Sequence, residues 1–284
     1  MPYFTFPKKA FPALLFLILS AAGIFAAEPF PIWPEGKIPD LQEHQTIPTL
    51  EICHPNEKKS DACVLILPGG AYRKCCDQHE GSQIANFFNE KGVTAAILRY
   101  RVSRPENAPK HRSAWQDAQR AVRFLRANAL ELGFHPEKIG CLGFSAGGHL
   151  TLMTAAASQT PAYLAIDELD KIPCHVNFAV PVYPAYLLAE CADRPYSGTG
   201  ENLKLVPELQ FDSQTPPMCL IHGDADSCPA YASIAVYHKL RTMNIPAEIH
   251  IYAKVGHGFG AARGGDHFKA WLDRVHDWMK LMRF

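Results

Sequence analysis

The sequence has no excess charge of either sign: 28 Lys and Arg balance 28 Asp and Glu. Without a basic or acidic surplus it carries no electrostatic footprint for nucleic acid or an anionic membrane surface. Small neutral molecules or neutral polymers are the easier partners. No C-x-x-C pair occurs, so a thiolate zinc or redox site has little basis. Internal repeats and low-complexity tracts are also missing. The apolar run Phe11–Phe25 falls short of the roughly 20 residues that a retained membrane span needs. Lys8 and Lys9 precede that run and Ala26-Ala27 close it, the order of a secretory signal peptide. Residues 1–27 therefore read as a signal peptide, the protein as secreted or periplasmic, and no stable membrane anchor is expected.

What remains suffices for one domain with a sizeable core: 284 residues, 48% hydrophobic and 20% charged. Nine cysteines in an exported chain invite a disulfide reading, and the odd total leaves at least one free thiol in the monomer. Cys63, Cys141 and Cys219 sit inside apolar runs and read as small buried hydrophobes. Cys53, Cys75, Cys76, Cys174, Cys191 and Cys228 lie nearer turns and are free to pair. Residues 28–47 are rich in proline and read as an extended N-terminal arm, with the main domain at 48–284.

From there, apolar runs at 62–67, 93–98, 138–142, 176–182, 218–221 and 247–252 read as strands. Between them lie helical patterns. Ala114, Ala118, Ala121, Val122, Leu125 and Ala129 recur at three- and four-residue spacing within 113–132. Phe268, Trp271, Leu272, Val275, Trp278, Met279 and Met282 do so within 266–282. Strands alternating with helices imply an α/β fold, a mostly parallel central sheet with helices on both faces. In such sheets the active residues gather beyond the carboxyl ends of the strands.

Four strand ends carry chemistry. Gly143-Phe144-Ser145-Ala146-Gly147 fits the strand–turn–helix nucleophile elbow G-x-S-x-G, with Ser145 as nucleophile. The helix that follows would aim its N-terminal dipole and the Ala146 N–H at developing negative charge. Pro68-Gly69-Gly70-Ala71-Tyr72 reads as an oxyanion loop, its donors the N–H groups of Gly70 or Ala71. His222-Gly223-Asp224-Ala225-Asp226 ends a third strand with two candidate acids, and Gly256-His257-Gly258 ends a fourth with a candidate base. Serine, then acid, then histidine is the chain order that accompanies the elbow. A serine hydroxyl becomes a nucleophile when an imidazole takes its proton and a carboxylate fixes the tautomer. Of the 13 histidines, His149 is the strongest competitor to His257, but one helical turn beyond Ser145 it is expected to pack or hydrogen-bond under the loops. Asp117, amid an apolar helix face, needs a buried partner, and Arg99 and Arg101 are the candidates.

These residues, with Tyr100-Arg101 and Trp115-Gln116-Asp117-Ala118, resemble the α/β-hydrolase superfamily over about residues 48–284. The pattern is most similar to its secreted esterase/lipase branch, which includes acetylxylan- and feruloyl-esterase-like enzymes. Residues 186–215 lack a strong period and read as a minimal cap over the pocket. The resemblance places the acid three residues after the strand-end glycine, on Asp226 rather than Asp224. Pro68 stands where the family usually has a histidine, so any loop-anchoring role of that histidine is missing here. Tyr72 and Phe144 flank the oxyanion groups and are expected to limit the acyl pocket to short chains. Hydrolysis of short acyl esters, acetyl or related groups on plant-type polysaccharide, would then need no metal or organic cofactor. A serine peptidase of related fold acting on short peptides, and a catalytically inactive binding module on a hydrolase fold, are the alternatives. A glycanase would need paired carboxylates flanking a sugar bond, and no such pairing signal is seen.

Overall fold

Five apolar residues in a row, Cys63-Val64-Leu65-Ile66-Leu67, make a strand that must be covered on both faces. That is their state in the computed structural model, which describes residues 28–43, 46–193, 202–261 and 266–284. Cys63, Leu65 and Leu67 belong to the core on one face, Val64 and Ile66 to the core on the other, as alternation along a strand requires. The segment read as a signal peptide, 1–27, lies outside the described residues. Among the described residues no helix is long and apolar enough to cross a membrane.

The strands are β1 (Phe30–Pro31), β2 (Thr49–Cys53), β3 (Cys63–Leu67), β4 (Thr94–Arg99), β5 (Ile139–Phe144), β6 (Phe178–Val182), β7 (Met218–Gly223) and β8 (Ala247–Tyr252). They form one sheet in the order β1-β2-β4-β3-β5-β6-β7-β8. Only the β1–β2 and β2–β4 pairings are antiparallel; the other five are parallel. Helices α1 (Gln83–Glu90) and α5 (Trp271–Leu281) cover one face through Ile84, Phe88, Trp271 and Val275. Helices α2 (Arg112–Ala127), α3 (Ala146–Ala156) and α4 (Tyr231–Thr242) cover the other through Ala118, Val122, Leu150 and Val236. From β3 the chain crosses to β4 on one side and then to β5 on the other. The switch point, where open α/β sheets hold their ligands, therefore lies beyond the ends of β3 and β5.

The six apolar runs are all strands, displaced by at most two residues. The second helical pattern overreached at its start, where a short 3-10 turn at Asp266–Phe268 precedes α5. The first overreached at its end. Asn128 stops α2 by turning its side-chain amide back onto the Phe124 carbonyl at 2.8 Å, after which the chain leaves the helix. The proline-rich arm is part of the sheet and core, so the fold starts before residue 48. Phe30–Pro31 pairs with β2, and Trp33 is buried with its ring 5.2 Å from the Arg120 guanidinium. All nine cysteines are free, against the pairing that six of them were open to. Several thiols instead make local contacts, Cys174 with the Ser158 carbonyl and Cys75 with the Tyr100 carbonyl. Burial pushes the Cys75 thiol up to about 12, which keeps it protonated and unreactive.

Asp117 takes Arg101 as its partner; Arg99 pairs with Glu51 and Asp77 instead. The Asp117 carboxylate accepts the Arg101 side chain at 2.8 Å, the Arg101 backbone N–H at 2.8 Å and the Trp33 indole N–H at 2.8 Å. One buried carboxylate thus ties the arm, the end of β4 and α2 together. Asp117→Ala leaves a buried guanidinium without its counter-charge and is expected to cost about 3–5 kcal/mol, read as a fall in the urea unfolding midpoint. A loss below about 1 kcal/mol would contradict this role for the pair.

Candidate active site

Ser145 follows β5 directly and precedes α3, at a turn too sharp for side chains on its flanks. A Cβ on Gly143 would meet the Gly147 carbonyl oxygen at 2.3 Å, and one on Gly147 would meet the Leu67 carbonyl oxygen at 2.0 Å. Ser145 itself has φ +52° and ψ −114°, a strained conformation of the kind that costs on the order of 1–3 kcal/mol. Three backbone bonds hold it: its N–H to Val182, and its carbonyl to the His149 and Ala185 N–H groups, all at 3.0–3.1 Å.

The structure brings the three widely separated residues together. Ser145 Oγ lies 2.8 Å from His257 Nε2, and His257 Nδ1 lies 2.8 and 2.9 Å from the two Asp226 oxygens. Because a carboxylate only accepts, the imidazole proton sits on Nδ1 and Nε2 offers its lone pair to the serine. The Asp226 side chain is fully buried, while that of His257 is 20% exposed. Asp226 Oδ1 also takes the Cys228 N–H at 2.7 Å. Asp224 is exposed, with its backbone N–H on the Tyr252 carbonyl at 2.9 Å.

Gly70 and Ala71 stand beyond the end of β3, next to the elbow at the switch point. Ala71 and Tyr72 have φ near +55°, and the turn is closed by the Arg73 and Lys74 N–H groups on the Gly70 carbonyl. Among the described residues no backbone carbonyl takes the Gly70, Ala71 or Ala146 N–H. The arrangement offers a nucleophile, a base and a carboxylate that orients the base.

Tyr72 is buried, its hydroxyl 2.8 Å from His149 Nδ1 and its ring facing Tyr100 and Tyr186. His149 therefore packs beneath the loops and does not reach Ser145 Oγ as a base. Phe144 does not line a pocket here. It is fully buried on the opposite face of the sheet, against Tyr183 and Trp271, because the residue before the elbow still alternates as part of β5. The segment between β6 and β7 is described at residues 183–193 and 202–217. An antiparallel bridge joins Leu188 to Leu205, and Tyr186, Leu187 and Val206 are buried in the core that α2–α4 cover.

Three supporting residues escaped the sequence reading. Glu80 is 3% exposed, accepts the Gly69 N–H at 2.8 Å and the Tyr183 hydroxyl at 2.7 Å. Tyr183 in turn accepts the Gly260 N–H at 2.9 Å, and its ring lies 5.0 Å from that of His257. One carboxylate thereby links the glycine loop after β3 to the histidine loop after β8. Burial and the adjoining Glu80 hold the Tyr183 phenol well above its ordinary pKa, so it stays a donor. His222 is fully buried behind Asp226, with Nε2 2.9 Å from the Cys228 carbonyl and Nδ1 2.8 Å from Ser233 Oγ. A carbonyl only accepts, so Nε2 carries the proton, and burial holds the ring below its ordinary pKa and neutral. Tyr183 stands just past β6 and was within reach of the strand-end rule. Glu80 was not, since it lies in a polar connection with no period.

Residues 50–185 match the family described as BD-FAE, and residues 189–282 match the prolyl oligopeptidase family. The chain is similar to endo-1,4-beta-xylanase B of Butyrivibrio fibrisolvens, 29% identical over 89% of this chain and 41% of that protein. It is similar to an acetylxylan esterase of Xylanibacter ruminicola, 24% identical over 81% of this chain and 47% of that protein. The chain thus spans less than half the length of either relative. Among solved structures, the acetyl ester-xyloside bifunctional hydrolase from Caldicellulosiruptor lactoaceticus superposes with a TM-score of 0.77 at 29% identity, covering 89% of this chain and 96% of that one.

Proposed function

The chain belongs to the α/β-hydrolase superfamily, and we propose that within it this protein is a secreted serine carboxylesterase. It hydrolyses short acyl esters, acetyl or related groups, on plant-type polysaccharide. The observation that carries the reading is the 2.8 Å approach of Ser145 Oγ to His257 Nε2, with Asp226 behind the imidazole. Two of the relatives, an acetylxylan esterase and an acetyl ester-xyloside bifunctional hydrolase, support the polymer as substrate.

In the reaction Ser145 Oγ attacks the ester carbonyl while its proton passes to His257 Nε2. The carbonyl electron pair moves onto oxygen, where the N–H groups of Gly70 or Ala71, and of Ala146, stabilise it. The tetrahedral adduct collapses, the alcohol leaves with the proton from Nε2, and the acyl group stays on Ser145. Water then attacks with His257 again as base, releasing the acid and restoring the serine. Asp226 holds the Nδ1 tautomer and stabilises the imidazolium.

Paraoxon tests the nucleophile: one diethylphosphoryl group is expected on the intact protein, mapping to Ser145 and blocking turnover. Labelling elsewhere, or none, would remove Ser145 from the role. A panel of p-nitrophenyl acetate, longer p-nitrophenyl esters, acetylated xylan, an aryl xyloside and a dipeptide anilide tests the substrate. Turnover is expected on the acetyl compounds. Turnover only on the anilide would favour a peptidase, which the match of residues 189–282 keeps in view.

Glu80 supplies a further expectation. Glu80→Gln turns one accepting oxygen into an NH2 group that can accept neither the Gly69 N–H nor the Tyr183 hydroxyl. Losing one buried, charge-assisted bond is worth about 1.5–3 kcal/mol, so kcat on p-nitrophenyl acetate is expected to fall about ten- to hundredfold with paraoxon labelling still confined to Ser145. An unchanged kcat would mean that the glycine loop holds its position without the carboxylate.

A further inference from the structure

We infer that His111, His149 and Glu208 form a binding site for one divalent transition-metal ion, Zn2+ by donor chemistry, beside the nucleophile helix and separate from Ser145, His257 and Asp226. The three come from different parts of the fold: the N-cap of α2, the first turns of α3, and the segment between β6 and β7. Each offers a ligand atom, and the three atoms lie within 4.8 Å of one another. Tetrahedral zinc with bonds of about 2.0–2.2 Å needs donors roughly 3.5 Å apart. Glu208, the least buried of the three, is the side chain with the most room to adjust.

The independent observation is His149 Nε2, a buried nitrogen with no hydrogen-bond partner among the described residues, on a side chain only 1% exposed. Buried polar atoms are almost always bonded, so this one requires an account. The other ring nitrogen, Nδ1, is 2.8 Å from the Tyr72 hydroxyl. When Nδ1–H donates to that oxygen, Nε2 is left as a lone pair aimed away from it, the arrangement by which an outer partner orients a metal-binding histidine. The His111 ring lies 5.3 Å from the His149 ring.

Both rings are ready to ligate. Burial, helped by nearby cations, lowers His149 well below its ordinary pKa and His111 to about 4, so no proton has to be displaced at neutral pH. Two imidazoles and one carboxylate suit zinc better than magnesium or calcium, which prefer oxygen ligands. The Lys110 ammonium nearby is already held by the Ala192 carbonyl and Asp193, over the Tyr186 ring. Of the other metal-capable groups among the described residues, one is the Asp226–Cys228–His257 set. In the other, His250 is already bonded to Glu248 at 2.7 Å.

The inference stands apart from the esterase reading, and metal binding tests it directly. The full chain, stripped with EDTA, is titrated with Zn2+ by calorimetry and with Co2+ by visible absorption. One ion per chain is expected, with a rise in melting temperature that grows with Zn2+ concentration. Both should persist in His257→Asn. His149→Gln and Glu208→Gln should each weaken binding by more than about tenfold, and Tyr72→Phe by about ten- to hundredfold. Glu208 is at the surface of its segment, so its variant is expected to fold even if the His149 variant does not. No saturable binding, binding lost in His257→Asn, or binding unchanged in Glu208→Gln would overturn the inference.

Discussion

Ser145→Ala is expected to lower kcat on p-nitrophenyl acetate by about a millionfold, the scale on which a serine hydrolase loses turnover when its nucleophile is removed. The reason is local. With Oγ gone, no atom lies 2.8 Å from His257 Nε2 to receive the acyl group, and the two-step path through an acyl-enzyme closes. The donors around Gly70, Ala71 and Ala146 and the binding surface remain, so a residue of catalysis over water should survive. Alanine tolerates the backbone at 145 no worse than serine, so the unfolding midpoint should stay near that of the unmodified protein. A loss of less than a hundredfold in kcat would mean that another group carries the reaction.

Asp226→Asn is expected to cost about ten thousandfold in kcat, as for the equivalent tautomer defect in serine proteases. The Cys228 N–H, 2.7 Å from Oδ1, selects the orientation of the new amide, since it needs an acceptor. The amide oxygen takes that position and the NH2 group turns to His257 Nδ1. Two donors then face each other unless the imidazole proton moves to Nε2, where it occupies the lone pair that Ser145 needs. Asp224→Asn, on an exposed side chain, should change kcat by no more than about twofold. The reverse pattern in the two variants would reassign the acid to Asp224.

The parts legible in the sequence were those written locally. A buried parallel strand is a run such as Val64-Leu65-Ile66, and the elbow needs glycine after Ser145 because a Cβ on Gly147 would meet the carbonyl oxygen of Leu67 in the neighbouring strand at 2.0 Å. The strand-end rule pointed to Ser145, His257 and two candidate acids without any knowledge of their contacts, and the family resemblance chose Asp226 over Asp224. What stayed hidden was set by tertiary neighbours. Phe144 looks like a pocket residue from its position beside Ser145, yet strand alternation sends it to the opposite core. Glu80 reads as one more acid in a polar connection, and its role exists only because Gly69 and Tyr183 converge on it. The proline-rich arm shows no period, and its place on the sheet depends on Trp33 reaching the Asp117–Arg101 pair.

The strained backbone at Ser145 sets stability and reactivity against each other at a single residue. Glycine would occupy φ +52° without the penalty that serine carries there. A population of variants sorted by folding stability alone would therefore be drawn toward losing the proposed nucleophile. Screens for tougher forms of this protein need an activity readout running beside the melting curve, because the most comfortable residue at position 145 is an inert one.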